Sequence, residues 1–181
     1  MKIGKYEIKH SIIQGGMGVG ISWDQLAGHV SLEGGLGVVS GVGTGYYQKK
    51  EFAEKLAKDK PVDAINFYSK AGLTAIIKNT RKICGDAPIA CNVLYASNDY
   101  GRIVTDACEA GANIIITGAG IPTNMPQFTA DFPDVALIPI VSSARALRLI
   151  CRKWKRYNKL PDAVIVEGPI SGGHQGFSYD D

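Results

Sequence analysis

Residues 112–120 read ANIIITGAG, a run of apolar, mostly β-branched side chains that ends in glycine. Its apolar positions are consecutive, not alternating. A strand with one wet face alternates, whereas a strand covered on both faces does not. The second case belongs to a parallel sheet under helices. Five further runs share this form: SIIQGG at 11–16, LGVVSG at 36–41, PIACNVLY at 88–95, ALIPIV at 136–141 and DAVIVEG at 162–168.

Helix signals fill the spaces between them. In 97–111, Ser97, Asn98 and Asp99 are candidate caps, Ile103, Val104, Ala107 and Cys108 form an apolar stripe, and Gly111 is a stop. In 142–157, Leu147, Ile150, Cys151 and Trp154 fall at helical spacing behind a Ser142/Ser143 cap. The arginines and lysines of this segment suit the solvated side of an amphipathic helix better than a nucleic-acid patch. The stretch TNMPQFTADFPD, broken by Pro126, allows only a brief or irregular helix. The long connection 42–87 predicts two helices separated near Pro61 and Gly72.

Six βα-type units in succession suit either a doubly wound sheet or a TIM (β/α)8 barrel. A barrel needs eight strands and typically about 250 residues. On that basis residues 1–181 form one partial barrel domain with about six of the eight units, and its first and sixth strands are open edges.

Composition excludes several classes. Hydrophobic residues make up 45% and charged residues 20%, which is not a disordered composition. The net charge of +3 is too small to argue for nucleic acid. Apolar runs stay below the roughly 18 residues of a membrane span, and MKIGKYEIKH lacks the apolar core of a secretory signal. Cys84, Cys91, Cys108 and Cys151 have no metal or CxxC spacing, so they read as packed thiols in a reducing, cytoplasmic setting.

In parallel α/β folds, ligands bind at the carboxyl ends of the strands. Here those ends carry QGGMGVG (14–20), SGVGTG (40–45), CNVLY (91–95), TGAGIP (117–122), VSS (141–143) and EGPISGGHQG (167–176). Glycines let backbone amides approach a flat ring or a phosphate. The glycine strings do not match G-x-G-x-x-G in register, which argues against a dinucleotide fingerprint. His174, which follows the pair Gly172-Gly173 just beyond the sixth run and precedes Gln175-Gly176, suits either a base presented to a pocket or a surface-loop histidine. Structural roles suit His10 and His29 better. Glu167, ending an apolar run, requires a polar partner.

Taken together, IIQGGMGVG, CNVLY, ITGAGIP and VIVEGPISGGHQGF resemble the nitronate monooxygenase family, formerly called 2-nitropropane dioxygenases. EGPISGGHQG is the most specific piece, with Ser171 where the family usually has alanine. Flavin-dependent enoyl-ACP reductases share the motif, so it marks the flavin barrel more sharply than the substrate. The IMP dehydrogenase group lacks support, since no catalytic cysteine loop of that kind is present.

The resemblance implies FMN across the C-terminal face of the barrel. Gly16, Met17 and Gly18 would lie along the isoalloxazine ring, Asn92 would hydrogen-bond it, and Glu167, Gly172 and Gly173 would fall at flavin-contacting positions. His174 would be the catalytic histidine. The implied reaction is oxidation of alkyl nitronates with O2; the alternative is reduction of an enoyl thioester by NAD(P)H, or an inactive truncated product. The partners implied are small molecules, with an oligomer open and with no nucleic acid, membrane or metal. Family members hold the FMN phosphate on loops after the seventh and eighth strands, so the 181-residue chain by itself is expected to bind FMN weakly or not at all.

Overall fold

The computed structural model describes residues 1–48 and 61–173. A hairpin of β1 (Lys2–Ile3) and β2 (Tyr6–Glu7) opens the chain. It is followed by α1 (Asp24–Leu32), β3 (Gly37–Ser40), a 3-10 turn (Thr44–Gln48) and α2 (Pro61–Cys84). Then come β4 (Ile89–Leu94), α3 (Tyr100–Ala110), β5 (Ile114–Gly118), a 3-10 turn (Met125–Thr129), β6 (Ala136–Val141), α4 (Ala144–Trp154) and β7 (Ile165–Val166).

Strands β3 to β7 form one parallel sheet whose spatial order is their sequence order. A doubly wound sheet reverses its order at a switch point; a barrel wall does not. The architecture is therefore α/β, an incomplete (β/α)8 barrel. The run at 11–16 contributes one further parallel segment. Ile13 bridges Leu36, the Leu36 amide donates to the Ile12 carbonyl at 2.9 Å, and the Gln14 amide donates to the Leu36 carbonyl at 3.1 Å. All six predicted runs thus lie in the wall, in the predicted order.

Alternate residues along each strand feed two separate cores. Val38, Ala90, Ile114, Ile116, Ala136 and Ile138 point to the barrel interior. Val39, Cys91, Val93, Ile115 and Leu137 point outward and pack under the helices. Full coverage on both sides is the reason the strands read as unbroken apolar runs. The N-terminal hairpin, which the sequence did not announce, buries Ile3 and Ile8 with the interior cluster. It is tied to the amino-end loop before β6 by Lys5 with Asp134, 2.7 Å, and by Tyr6 Oη donating to the Asp134 carbonyl, 3.0 Å.

The helices follow their predicted stripes with two differences. Helix α2 runs unbroken through Gly72, where a break was expected. A β-carbon at Gly72 would lie 2.0 Å from the Thr44 carbonyl oxygen, so glycine is there to let the 3-10 turn press against the helix. Residues 49–60, which hold most of the other expected helix, lie outside the described residues. In α3, Asp99 occupies the cap position without a capping hydrogen bond, because its carboxylate pairs with Arg102. Gly111 ends α3 in the left-handed region as expected, φ +102°. Helix α4 is capped by Ser143, whose Oγ accepts from the Ala146 amide at 3.2 Å. Ile150 and Trp154 are fully buried while Arg148, Arg152 and Lys153 are exposed, which fits the amphipathic reading. Among the described residues, no helix is long and apolar enough to cross a membrane.

Candidate functional site

The glycine loop after the first wall segment is held by two polar side chains. The Gln14 carboxamide binds β3 as a backbone would: Nε2 donates to the Val38 carbonyl at 3.2 Å and Oε1 accepts from the Val38 amide at 3.3 Å. Gln14 Nε2 also donates to Ser22 Oγ, 2.8 Å. That hydroxyl donates to the Gly15 carbonyl, 2.9 Å, and accepts from the Met17 amide, 2.9 Å. One donor and two acceptor capacities are thus all used by a side chain with no solvent exposure. The Ser22 carbonyl in turn accepts from the Ser40 amide, 2.8 Å, tying the loop to the end of β3. The loop is a fixed shelf that leaves Met17 45% exposed.

The shelf lies against β4. A β-carbon on Gly16 would sit 2.5 Å from Asn92 Cβ and 2.8 Å from its Nδ2. At Gly18 it would meet Ser40 Oγ at 3.0 Å and Val42 Cβ at 3.2 Å. Residues 16–18 and Asn92 therefore meet at the carboxyl ends of the strands, as the sequence predicts. Asn92 is half-buried, and among the described residues its carboxamide has no hydrogen-bond partner. A polar group so placed leaves a donor and an acceptor for a ligand. Backbone free of side chains at 16 and 18, next to an unengaged amide, fits the edge of a flat heteroaromatic ring.

At the far side of the wall, the Glu167 amide donates to the Val141 carbonyl, 2.9 Å, and its side chain is half-buried with an interaction of its own. Gly172 and Gly173 are exposed, and Gly173 has φ +87°. His174 lies outside the described residues. His10 is exposed, and His29 Nδ1 lies 2.7 Å from the Gln25 carbonyl oxygen on the surface of α1.

Cys91 and Cys108 are not placed to act as nucleophiles. Burial, then the neighbouring Cys108, pushes the Cys91 thiol far up, and burial followed by Glu109 pushes Cys108 up to about 12. Thiolates are the reactive form, so these two groups serve as packing. No His, Cys, Asp and Glu cluster suited to a metal occurs among the described residues. Sequence reasoning missed Gln14 and Ser22. A polar side chain closing an apolar run was the available signal for Gln14; Ser22 carried none.

Comparison with known proteins gives the same picture of the fold. FabK from Thermotoga maritima superposes with a TM-score of 0.67 and 27% identity, over 94% of this chain and 44% of that one. Nitroalkane oxidase from Streptomyces ansochromogenes superposes with a TM-score of 0.61 and 20% identity, over 96% of this chain and 51% of that one, a likeness of fold alone. The chain thus spans about half the length of the solved proteins it matches. No curated protein matches it. The glycine shelf, the amide opposite it and the motif after the last strand all lie within one match that runs from residue 1 to residue 181, and the chain belongs to the nitronate monooxygenase family.

Proposed function

We propose that this chain carries the ring-holding rim of an FMN-dependent oxidoreductase that oxidises alkyl nitronates with O2. The observation that carries this is the contact between Gly16 and Asn92: a side-chain-free shelf facing an unengaged carboxamide at the strand ends. The backbone of Gly16, Met17 and Gly18 would lie along the ring, and the Asn92 amide would hydrogen-bond its heteroatoms. Glu167, Gly172 and Gly173 would contact it from the far end of the wall. Bound FMN supplies electron acceptance from the substrate and its return to O2, which leaves a carbonyl product and nitrite. His174 has the proton chemistry for either substrate form: protonated, it holds the anionic nitronate; neutral, it takes the α-proton of a nitroalkane.

A second reading draws on the 27% identity to FabK and on the motif shared with flavin-dependent enoyl-ACP reductases. There NAD(P)H is the reductant and an enoyl thioester the acceptor. Anaerobic addition of a nitronate to the FMN-loaded protein separates the two. Bleaching of the visible flavin band without NAD(P)H supports nitronate oxidation. Bleaching only by NAD(P)H, with enoyl thioester turnover, supports the second. Flavin that is bound yet reduced by neither sinks both.

A further inference from the structure

Beside the shelf, the segment Gly41–Gly45 borders a half-open cleft of about 270 Å³ between the ends of β3 and β4, the start of α3 and the Ser69 turn of α2. Its existence follows from how the segment is pinned. The Gly41 amide donates to the Asn92 carbonyl at 2.9 Å, and Thr44 Oγ1 donates to the Ser69 carbonyl at 2.8 Å. A β-carbon at Gly41 would be 3.1 Å from the Asn92 carbonyl oxygen and 3.2 Å from Ile103 Cγ2. The backbone is thus pressed in at both ends, and the glycines between bring no side chains to fill the hollow.

The lining decides the chemistry. Val42, Val93, Leu94 and Ile103 give apolar walls, and among the described residues the single charged lining group is Asp99, which pairs with Arg102. No lysine or arginine lines the cavity among the described residues. Phosphates and carboxylates gain nothing here, whereas a hydrocarbon chain gains by leaving water. Val42 is also the residue that Gly18 abuts. Val93 and Ile103, which line the cavity too, belong to the core under the helices, so the cleft starts at the edge of the shelf and runs over the end of β4 towards α3.

We propose that this cavity receives the hydrocarbon chain of the substrate whose reacting end lies at the Gly16–Asn92 shelf; this deepens the flavin-oxidoreductase reading and rests on it. The volume of about 270 Å³ holds at most roughly nine groups at about 30 Å³ each, and the cleft is open on one side, so it suits a chain of up to about eight carbons.

Two measurements decide it. The first uses flavin-free protein and primary alcohols from butanol to decanol, followed by amide shifts of Gly41, Gly43 and Gly45. Affinity is expected to rise about fourfold per methylene and to level off near eight carbons. Ser97→Phe and Ile103→Phe, each of which puts a ring into the space, are expected to abolish that rise while the rest of the amide spectrum stays dispersed. Affinity without chain-length dependence, or dependence unchanged in both folded variants, overturns the proposal. The second measures kcat/KM of the FMN-loaded protein over homologous nitronates and enoyl thioesters. A rise with chain length that Ser97→Phe flattens is expected; turnover indifferent to chain length overturns the assignment. An FMN-loaded protein that neither nitronates nor NAD(P)H reduce sinks the flavin reading and the substrate assignment with it, an outcome distinct from failure of the alcohol series.

Discussion

Gly16 lies so close to Asn92 that a β-carbon on the glycine would stand 2.5 Å from that of the asparagine. Neither the shelf, pinned by Ser22, nor β4, in mid-sheet, can retreat without breaking hydrogen bonds. Gly16→Ala is expected to lower stability by about 1–3 kcal/mol, the usual range for overpacking. Urea unfolding checks this. The pair Gly16→Ala with Asn92→Gly is expected to recover part of the loss, because contacting residues couple. Independent, additive effects would show that the two residues do not meet.

Ser22→Ala removes a hydroxyl that serves Gln14, Gly15 and Met17 from a fully buried position. Leaving such partners unsatisfied costs about 1–3 kcal/mol. The expected local sign is faster hydrogen exchange at the Met17 amide, with the amides of β5 and β6 unchanged. Protection at Met17 equal to that of the parent protein would mean the shelf is held by something else.

Gly72→Ala separates two opposed effects. Helix propensity alone predicts a gain of about 1 kcal/mol for alanine in a helix interior. The Thr44 carbonyl, 2.0 Å from the added carbon, predicts a loss instead. Steric conflict with backbone cannot relax by a rotamer change, so a fall in thermal midpoint is expected. A rise would show that the 3-10 turn does not rest on α2 at this point.

The buried thiols set an alkaline limit. Burial raises Cys91 and Cys108 above their ordinary value of 9.0, Cys108 up to about 12. In the folded protein both keep their protons where the unfolded chain has lost them. Their contribution is thus complete below about pH 9 and is lost as the pH climbs towards 12. For each such group the decline is about 1.4 kcal/mol per pH unit. Denaturant unfolding between pH 8 and 11 is expected to show a falling midpoint that is shallower in Cys108→Ala. At pH 8, a thiol reagent is expected to modify half-exposed Cys151 before any of the three buried cysteines, Cys84, Cys91 and Cys108.

Much of the wall was legible because each strand carries its own record of being covered twice. The runs at 36–41, 88–95, 112–120 and 136–141 became β3 to β6, and Ser143, Gly111 and Trp154 took the cap, stop and core positions that helical spacing assigned them. The hairpin at Lys2–Glu7 was missed because two-residue strands are too short to show a period. Gly72 was misread because glycine for a break and glycine for a close approach look alike in one dimension.

By itself, then, the sequence determined the layering and the strand ends where chemistry belongs, since burial on two sides and helical stripes are local patterns of side chains. The tertiary structure alone decided that Gly16 abuts Asn92, that Ser22 and Gln14 hold the shelf, and that an apolar cleft opens at its edge. Those contacts join residues distant along the chain, and only the winding of one βα unit beside the next brings them within reach.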